Sequence, residues 1–238
     1  MPLPTIEVPQ YSLDLHSTGE NVVYRPFLVK EEKILLMALE GEDQENILTA
    51  IQQIIENCII RGNVNVPSLP LFDLENLFLN IRSKSIGETS TINVPCISET
   101  CEEYTSHDVN LDEIDLIKTE NHNIKIDIDD KNGVVMKYPS VNLIGKIESL
   151  DENDIEQSIK ILTLCIDSLY DDKEEYDFND YTQEEKTEFM EQLTQQQFLK
   201  IQEFFTTMPV LEYQLEFKCG TCSTEATIPI RGLQNFFS

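Results

Sequence analysis

The chain has 238 residues, enough for one large or two small domains, each with its own core. Its 44 acidic and 17 basic residues give a formal net charge of −27. Such a surface repels nucleic-acid phosphates and anionic membranes, and suits a basic protein partner. The opening MPLPTIEVPQYSLDL has no basic region followed by an apolar run, and no stretch reaches the roughly 18 apolar residues of a membrane span. Neither a signal peptide nor a span is expected. In a reducing cytoplasm, cysteines point to metal or core rather than disulfides.

Residues 1–29 read as an extended arm, because Pro2, Pro4, Pro9 and Pro26 remove backbone donors. Ile34, Leu35, Ala38 and Leu39 then fit a first helix ending near Gly41. Ile47, Ile51, Ile54, Ile55 and Cys58 recur at helical spacing on one face, with Gly62 as a stop. A third helix follows, with Asp73 as expected N-cap and Leu74, Leu77, Phe78 and Ile81 as its apolar stripe.

From residue 89 the period changes. TINVPC and DVNLDEIDLI alternate as strands, and IKIDIDDKNGVVMKYP reads as a hairpin turning at Asp130–Gly133. DIDDKNG superficially resembles a calcium loop, but its glycine is one place late and Tyr138 stands where a bidentate Glu is required. Ser149 with Glu152, and Thr182 with Glu185, have capping-box spacing. Ile155, Ile159, Leu162, Ile166 and Leu169 form one helical stripe, and YDDKEEYDFND reads as an exposed loop between two helices. Residues 210–230 return to strands.

The expected organisation is α+β, with helical N-terminal and C-terminal segments around a β-rich middle. The divisions are 1–88, an extended arm and helical region; 89–148, β-rich; 149–209, helical; and 210–238, a C-terminal hairpin packed with 89–148.

Two cysteine pairs interrupt strand-like runs: Cys96 and Cys101 in VPCISETCEEY, and Cys219 and Cys222 in LEFKCGTCST. Each pair can form the tip of a hairpin, a zinc-ribbon-like knuckle, and two facing knuckles supply four thiolates to a closed tetrahedral Zn²⁺ site. The alternatives are an iron–sulfur cluster, which also takes four thiolates, and hairpin cysteines without metal. Cys58 and Cys165 lie on apolar helix faces and read as core. His107 is near enough in sequence to replace one ligand, but reads more simply as a lone side chain.

No catalytic constellation emerges. His16, His107 and His122 form no metalloprotease pair, and there is no Gly-x-Ser-x-Gly elbow or phosphate-cradling glycine loop. A closed four-cysteine site leaves no position for a reacting water. The expectation is a non-enzymatic protein.

The succession LPTIEVPQYSLDLHSTGENVVYRPFLVKEEKILLMALE, LPLFDLENLFLNIRSKSIGE, VPC…C, VNLDEIDL and MKYPS, ending in a Cys-x-x-Cys hairpin and LQNFF, resembles the baseplate protein family of T-even-like contractile-tailed bacteriophages. The resemblance covers nearly the whole chain. YRPFLVKEEKILLMALE and IRSKSIGE are its most specific parts, and the wider Cys96–Cys101 spacing departs from the tighter first pair of that family. It implies a baseplate hub assembly protein, acting with other hub proteins in the host cytoplasm during virion assembly, or staying in the virion baseplate. Arg25, Lys30, Arg82, Lys84, Phe236 and Phe237 are candidate partner contacts. A different reading is a zinc-ribbon adaptor in phage transcription or replication. Such an adaptor needs a basic stripe near its knuckles, whereas CISETCEEY is acidic.

Overall fold

The computed structural model describes residues 7–41, 44–98, 100–143 and 155–233. The fold is mixed α/β and divides into two compact units, Met1–Ile117 with Val210–Ser238, and Lys118–Pro209. The β-rich stretch expected over 89–148 is shared between them.

The first unit opens with the antiparallel hairpin β1 (Tyr11–Asp14) and β2 (Asn21–Tyr24), with Tyr11 opposite Tyr24. Helices α1 (Val29–Glu40) and α2 (Gln44–Cys58) follow, and α2 runs directly into β3 (Ile59–Arg61), which pairs with β2. Gly62, at φ 129°, lies beyond that strand rather than at the end of the helix.

Helix α1 is closed at its start by Glu31, whose carboxylate accepts the Leu28 N–H at 2.9 Å. Glu31 is its buried residue. Ile34 and Leu35 are half-buried, and Leu36, Met37 and Leu39 are exposed. The expected apolar stripe of α1 is thus only partly covered. Helix α2 buries Ile51, Ile54, Ile55 and Cys58 as its spacing requires. Burial pushes the Cys58 thiol up to about 11.

Helix α3 (Leu71–Ile86) buries Leu74, Leu77, Phe78 and Ile81. Its N-cap is Pro70, not Asp73. Asp73 lies in the first turn, fully buried, and accepts the backbone N–H of His16 at 2.8 Å and of Ser17 at 3.1 Å. Its carboxylate pins the β1–β2 turn to α3, which explains why it does not cap.

Strands β4 (Thr89–Pro95) and β5 (Tyr104–Asn110) form a two-stranded ribbon, Ile92 opposite His107. Strand β6 (Asp115–Ile117) pairs with β11 (Val210–Lys218), which pairs in turn with β12 (Glu225–Arg231), giving the order β12-β11-β6. Ile92, Val94, Val109, Leu215, Phe217 and Ile230 form one apolar cluster between ribbon and sheet. This cluster sets one hairpin against the other.

The second unit holds a four-stranded antiparallel sheet in the order Glu175–Asp177 (β10), Ile166–Tyr170 (β9), Gly133–Met136 (β8), Lys125–Asp127 (β7). Strands β7 (Lys125–Asp127) and β8 (Gly133–Met136) are the expected hairpin. Asp129 Oδ1 accepts the N–H groups of Lys131 and Asn132, both at 2.9 Å, so the carboxylate is spent on the turn.

Helix α4 (Ile155–Leu164) stops short of the expected stripe. Ile166 and Leu169 instead lie on β9 (Ile166–Tyr170), which pairs with β8. There burial alternates along Ile166, Asp167 and Ser168, the period of a strand. The acidic segment read as a loop carries β10 (Glu175–Asp177), which pairs with β9. The expected helical region 149–209 is therefore interrupted by two strands.

Helices α5 (Gln183–Glu191) and α6 (Gln195–Thr207) complete this unit, each opened by a capping box: Thr182 with Glu185, and Thr194 with Gln197. The Ser149–Glu152 pair lies outside the described residues. Cys165 is buried in the core with Val134, Met136, Ile166, Ile201 and Phe204, and burial raises its thiol to about 12.

Candidate metal centre

The four cysteines of the two hairpin tips converge. Their sulfurs all lie within 4.8 Å of one another. Cys96 Sγ is 3.5 Å from Cys222 Sγ, and Cys101 Sγ is 3.9 Å from Cys219 Sγ. A tetrahedron with bonds of about 2.3 Å has sulfur–sulfur edges of about 3.8 Å. The donor set and its spacing fit a single ion, and the four cysteines can bind a metal.

Local backbone geometry builds each half. In the first tip, Cys96 N–H donates to the Glu103 carbonyl at 2.9 Å, continuing the β4–β5 ladder. Cys101 N–H then donates to the Ser98 carbonyl at 3.0 Å, a turn that folds Cys101 back beside Cys96. In the second tip, Cys219 N–H donates to the Thr224 carbonyl at 2.9 Å, and Ser223 N–H to the Cys219 carbonyl at 3.1 Å. Ser223 takes the left-handed conformation, φ 59°, that closes this short turn.

Two polar contacts at the tips were not revealed by the cysteine spacing. Gly220 N–H donates across to Thr105 Oγ1 of the first tip at 3.3 Å, and within the second tip Thr224 Oγ1 lies 3.1 Å from Cys222 Sγ. The only sequence signal for these was a threonine placed beside each tip.

Electrostatics differ between the halves. Backbone N–H groups of Cys222 and Thr221 aimed at the Cys219 sulfur lower that thiol to about 6. The Thr224 hydroxyl and N–H hold Cys222 below the ordinary thiol range. At Cys96 the Ser98 N–H acts downward, but desolvation and the facing Cys222, Cys219 and Cys101 sulfurs outweigh it and raise the thiol to about 12. Cys101 is raised too. There the Glu103 backbone acts downward, against desolvation and the Cys222 and Cys219 sulfurs. The second hairpin thus aims backbone donors at its sulfurs, and a metal bound by the cluster would displace the remaining thiol protons.

His107 stays outside the cluster. It stands opposite Ile92 on the ribbon and packs on Phe217, ring centroids 5.3 Å apart. His122 is held by Thr207 Oγ1 at 3.0 Å and Tyr138 Oη at 2.9 Å, with burial lowering its affinity for a proton. Arg25 directs its guanidinium to Glu31, to the Pro26 and Asn57 carbonyls and toward Cys58. Lys30 is exposed and 3.2 Å from Glu31. Lys84 pairs with Asp112 at 2.9 Å and Glu88 at 3.3 Å, and Arg82 is half-buried. Phe236 and Phe237 lie outside the described residues.

In this mixed α/β chain, four thiols from the middle and the end of the sequence lie close enough together to hold a metal ion. The family model described as T4 bacteriophage base plate protein matches residues 8–238, and the chain belongs to that family. No curated protein and no solved structure matches the chain. Family membership gives it a phage baseplate role, with phage baseplate proteins as its partners, in the virion or during assembly in the host. No helix among the described residues is long and apolar enough to cross a membrane.

Proposed function

We propose that this chain serves assembly of the central hub of the phage baseplate through protein–protein contacts and without catalysis of its own, and that Cys96, Cys101, Cys219 and Cys222 hold a structural Zn²⁺. The family match over residues 8–238 carries the functional part of this reading. The convergence of four sulfurs within 4.8 Å supports one ion rather than an iron–sulfur cluster, whose four cysteines are divided among two or four irons and so stand wider apart. Zinc held by four thiolates supplies no reactive position; it supplies folding energy. The protein's own part is to orient the thiols. The β4–β5 and β11–β12 hairpins are docked by their shared apolar cluster before any ion is considered.

The net charge of −27 supports contact with basic protein surfaces and disfavours the transcription or replication adaptor. A phage with this gene disrupted tests the hub reading. Infected cells should accumulate baseplate parts lacking the central hub, and complementation in trans should restore it. Complete hubs without the chain would overturn the reading. Metal analysis of protein purified under reducing conditions should give one zinc per chain; iron with sulfide, or no metal, would reject the zinc assignment.

A further inference from the structure

The second unit carries an aromatic cleft that the metal centre does not use. It has a volume of about 350 Å³ and is lined by Leu169 of β9, Tyr176 of β10, Phe178, Tyr181, and Glu185 and Phe189 of α5. Phe178 is the floor: it is buried, with its ring centroid 5.9 Å from Phe189 and 6.5 Å from Tyr181. Tyr181 is exposed, and Tyr176 is fixed by its hydroxyl, which donates to Asp171 at 3.0 Å. The rings are thus held in place by a packed core, a strand and a capped helix.

Three observations say what such a cleft accepts. Aromatic faces carry negative potential and attract ammonium and guanidinium groups. This chain already does so: Lys186 Nζ sits 5.5 Å from the centre of the Phe178 ring. The segment that supplies most of the lining, residues 170–188, holds nine acidic residues against two lysines. Glu185 uses Oε2 to cap Thr182, and its Oε1 has no partner among the described residues. Clustered aromatic rings alone would also suit nucleic-acid bases, but nine carboxylates in this segment repel a phosphate backbone. A second copy of a chain charged −27 is repelled likewise.

We infer that this cleft is a docking site for a basic segment of a partner protein, which seats an arginine or lysine side chain on Tyr181 and Tyr176 with its charge toward Glu185. Arginine fits better than lysine, because its planar guanidinium stacks on a ring while its stem covers Leu169. The site is independent of the metal and of which baseplate component supplies the segment.

The test uses the full-length protein, labelled with ¹⁵N, and a blocked Arg-Leu-Arg-Gly-Arg peptide as probe. Shift changes should concentrate on residues 169–189. Tyr181→Ala, at an exposed position, should weaken binding about fivefold, while Tyr181→Phe keeps it within about twofold. Glu184→Lys, also exposed, should weaken it and flatten its salt dependence. A Glu-for-Arg peptide and a short oligothymidylate should not shift these residues. Absence of binding, shifts spread over the acidic surface with Tyr181→Ala without effect, or equal response to either control ligand would each overturn the inference.

Discussion

The guanidinium of Arg25 stands 3.0 Å from the carboxylate of Glu31, a side chain with no solvent exposure. The pair joins the end of the β-hairpin to the first turn of α1, and Arg25 extends it to the Asn57 carbonyl at the end of α2. Desolvation pushes the Glu31 carboxyl up, but Arg25, the Leu28 N–H and Lys30 outweigh it and hold it below the ordinary range. A depressed carboxyl stabilises the fold above its unfolded pKa, and that stability is lost as pH falls through the folded value. Arg25→Ala leaves a buried charge without its main partner and should cost about 3 kcal/mol in urea unfolding. Arg25→Lys should recover only part, since an ammonium cannot fork to Glu31 and the two carbonyls.

Glu75 behaves oppositely. It lies buried on α3 and accepts one hydrogen bond, from the Leu233 N–H at 3.2 Å. Burial raises its carboxyl to about 7, against an ordinary 4.5. A raised carboxyl favours the fold while protonated. Stability should therefore decline as pH rises from about 4.5 to about 7, with the full penalty present above that window. Glu75→Gln removes the ionisation and keeps an acceptor for Leu233. It should stabilise the protein above pH 7 by up to about 3 kcal/mol and flatten this part of the profile, as measured by unfolding at a series of pH values.

Local periodicity made α2, α3 and the β7–β8 hairpin legible, because their apolar spacing coincides with what the fold buries. The four-cysteine cluster was legible because each cysteine pair sits inside its own strand–turn–strand signal. The failures are non-local. Ile166 and Leu169 satisfy helical spacing as well as strand alternation, and only pairing with β8 decides between them. Asp73 has the right chemistry for an N-cap but is claimed by His16 and Ser17, far away in sequence. Glu75 flanks the apolar stripe of α3, where nothing local distinguishes a buried carboxyl from a solvated one. The aromatic cleft joins residues from two strands, a turn and a helix, and no single segment carries its pattern.

Gly133 begins β8 directly beneath the Tyr170 ring. A Cβ there would clash with that ring and stand 2.6 Å from the Ile126 carbonyl oxygen. Tyr170 cannot swing away freely, because its hydroxyl donates to Asp127 at 2.6 Å and Lys125 lies over its face at 4.8 Å. Gly133→Ala should destabilise the second unit by about 2 kcal/mol, as read from chemical denaturation. Adding Tyr170→Ala should rescue only part of the loss, since the carbonyl contact is backbone. Full rescue would show that the ring alone sets the requirement.

The last prediction concerns what the four thiols hold together. If one ion spans them, its binding energy is shared by two hairpins distant in sequence. Cys219→Ser should then speed hydrogen exchange in residues 210–231 and in 89–110 together. Helix α3 buries its own apolar face and should change less. Adding a strong chelator to the wild-type protein should reproduce the pattern, and Cys58→Ser, outside the cluster, should not. The apolar contacts between β4–β5 and β11–β12 remain in the variant, so the hairpins should loosen rather than separate. Faster exchange confined to residues 210–231, with 89–110 at wild-type rates, would show that the two tips do not share a metal.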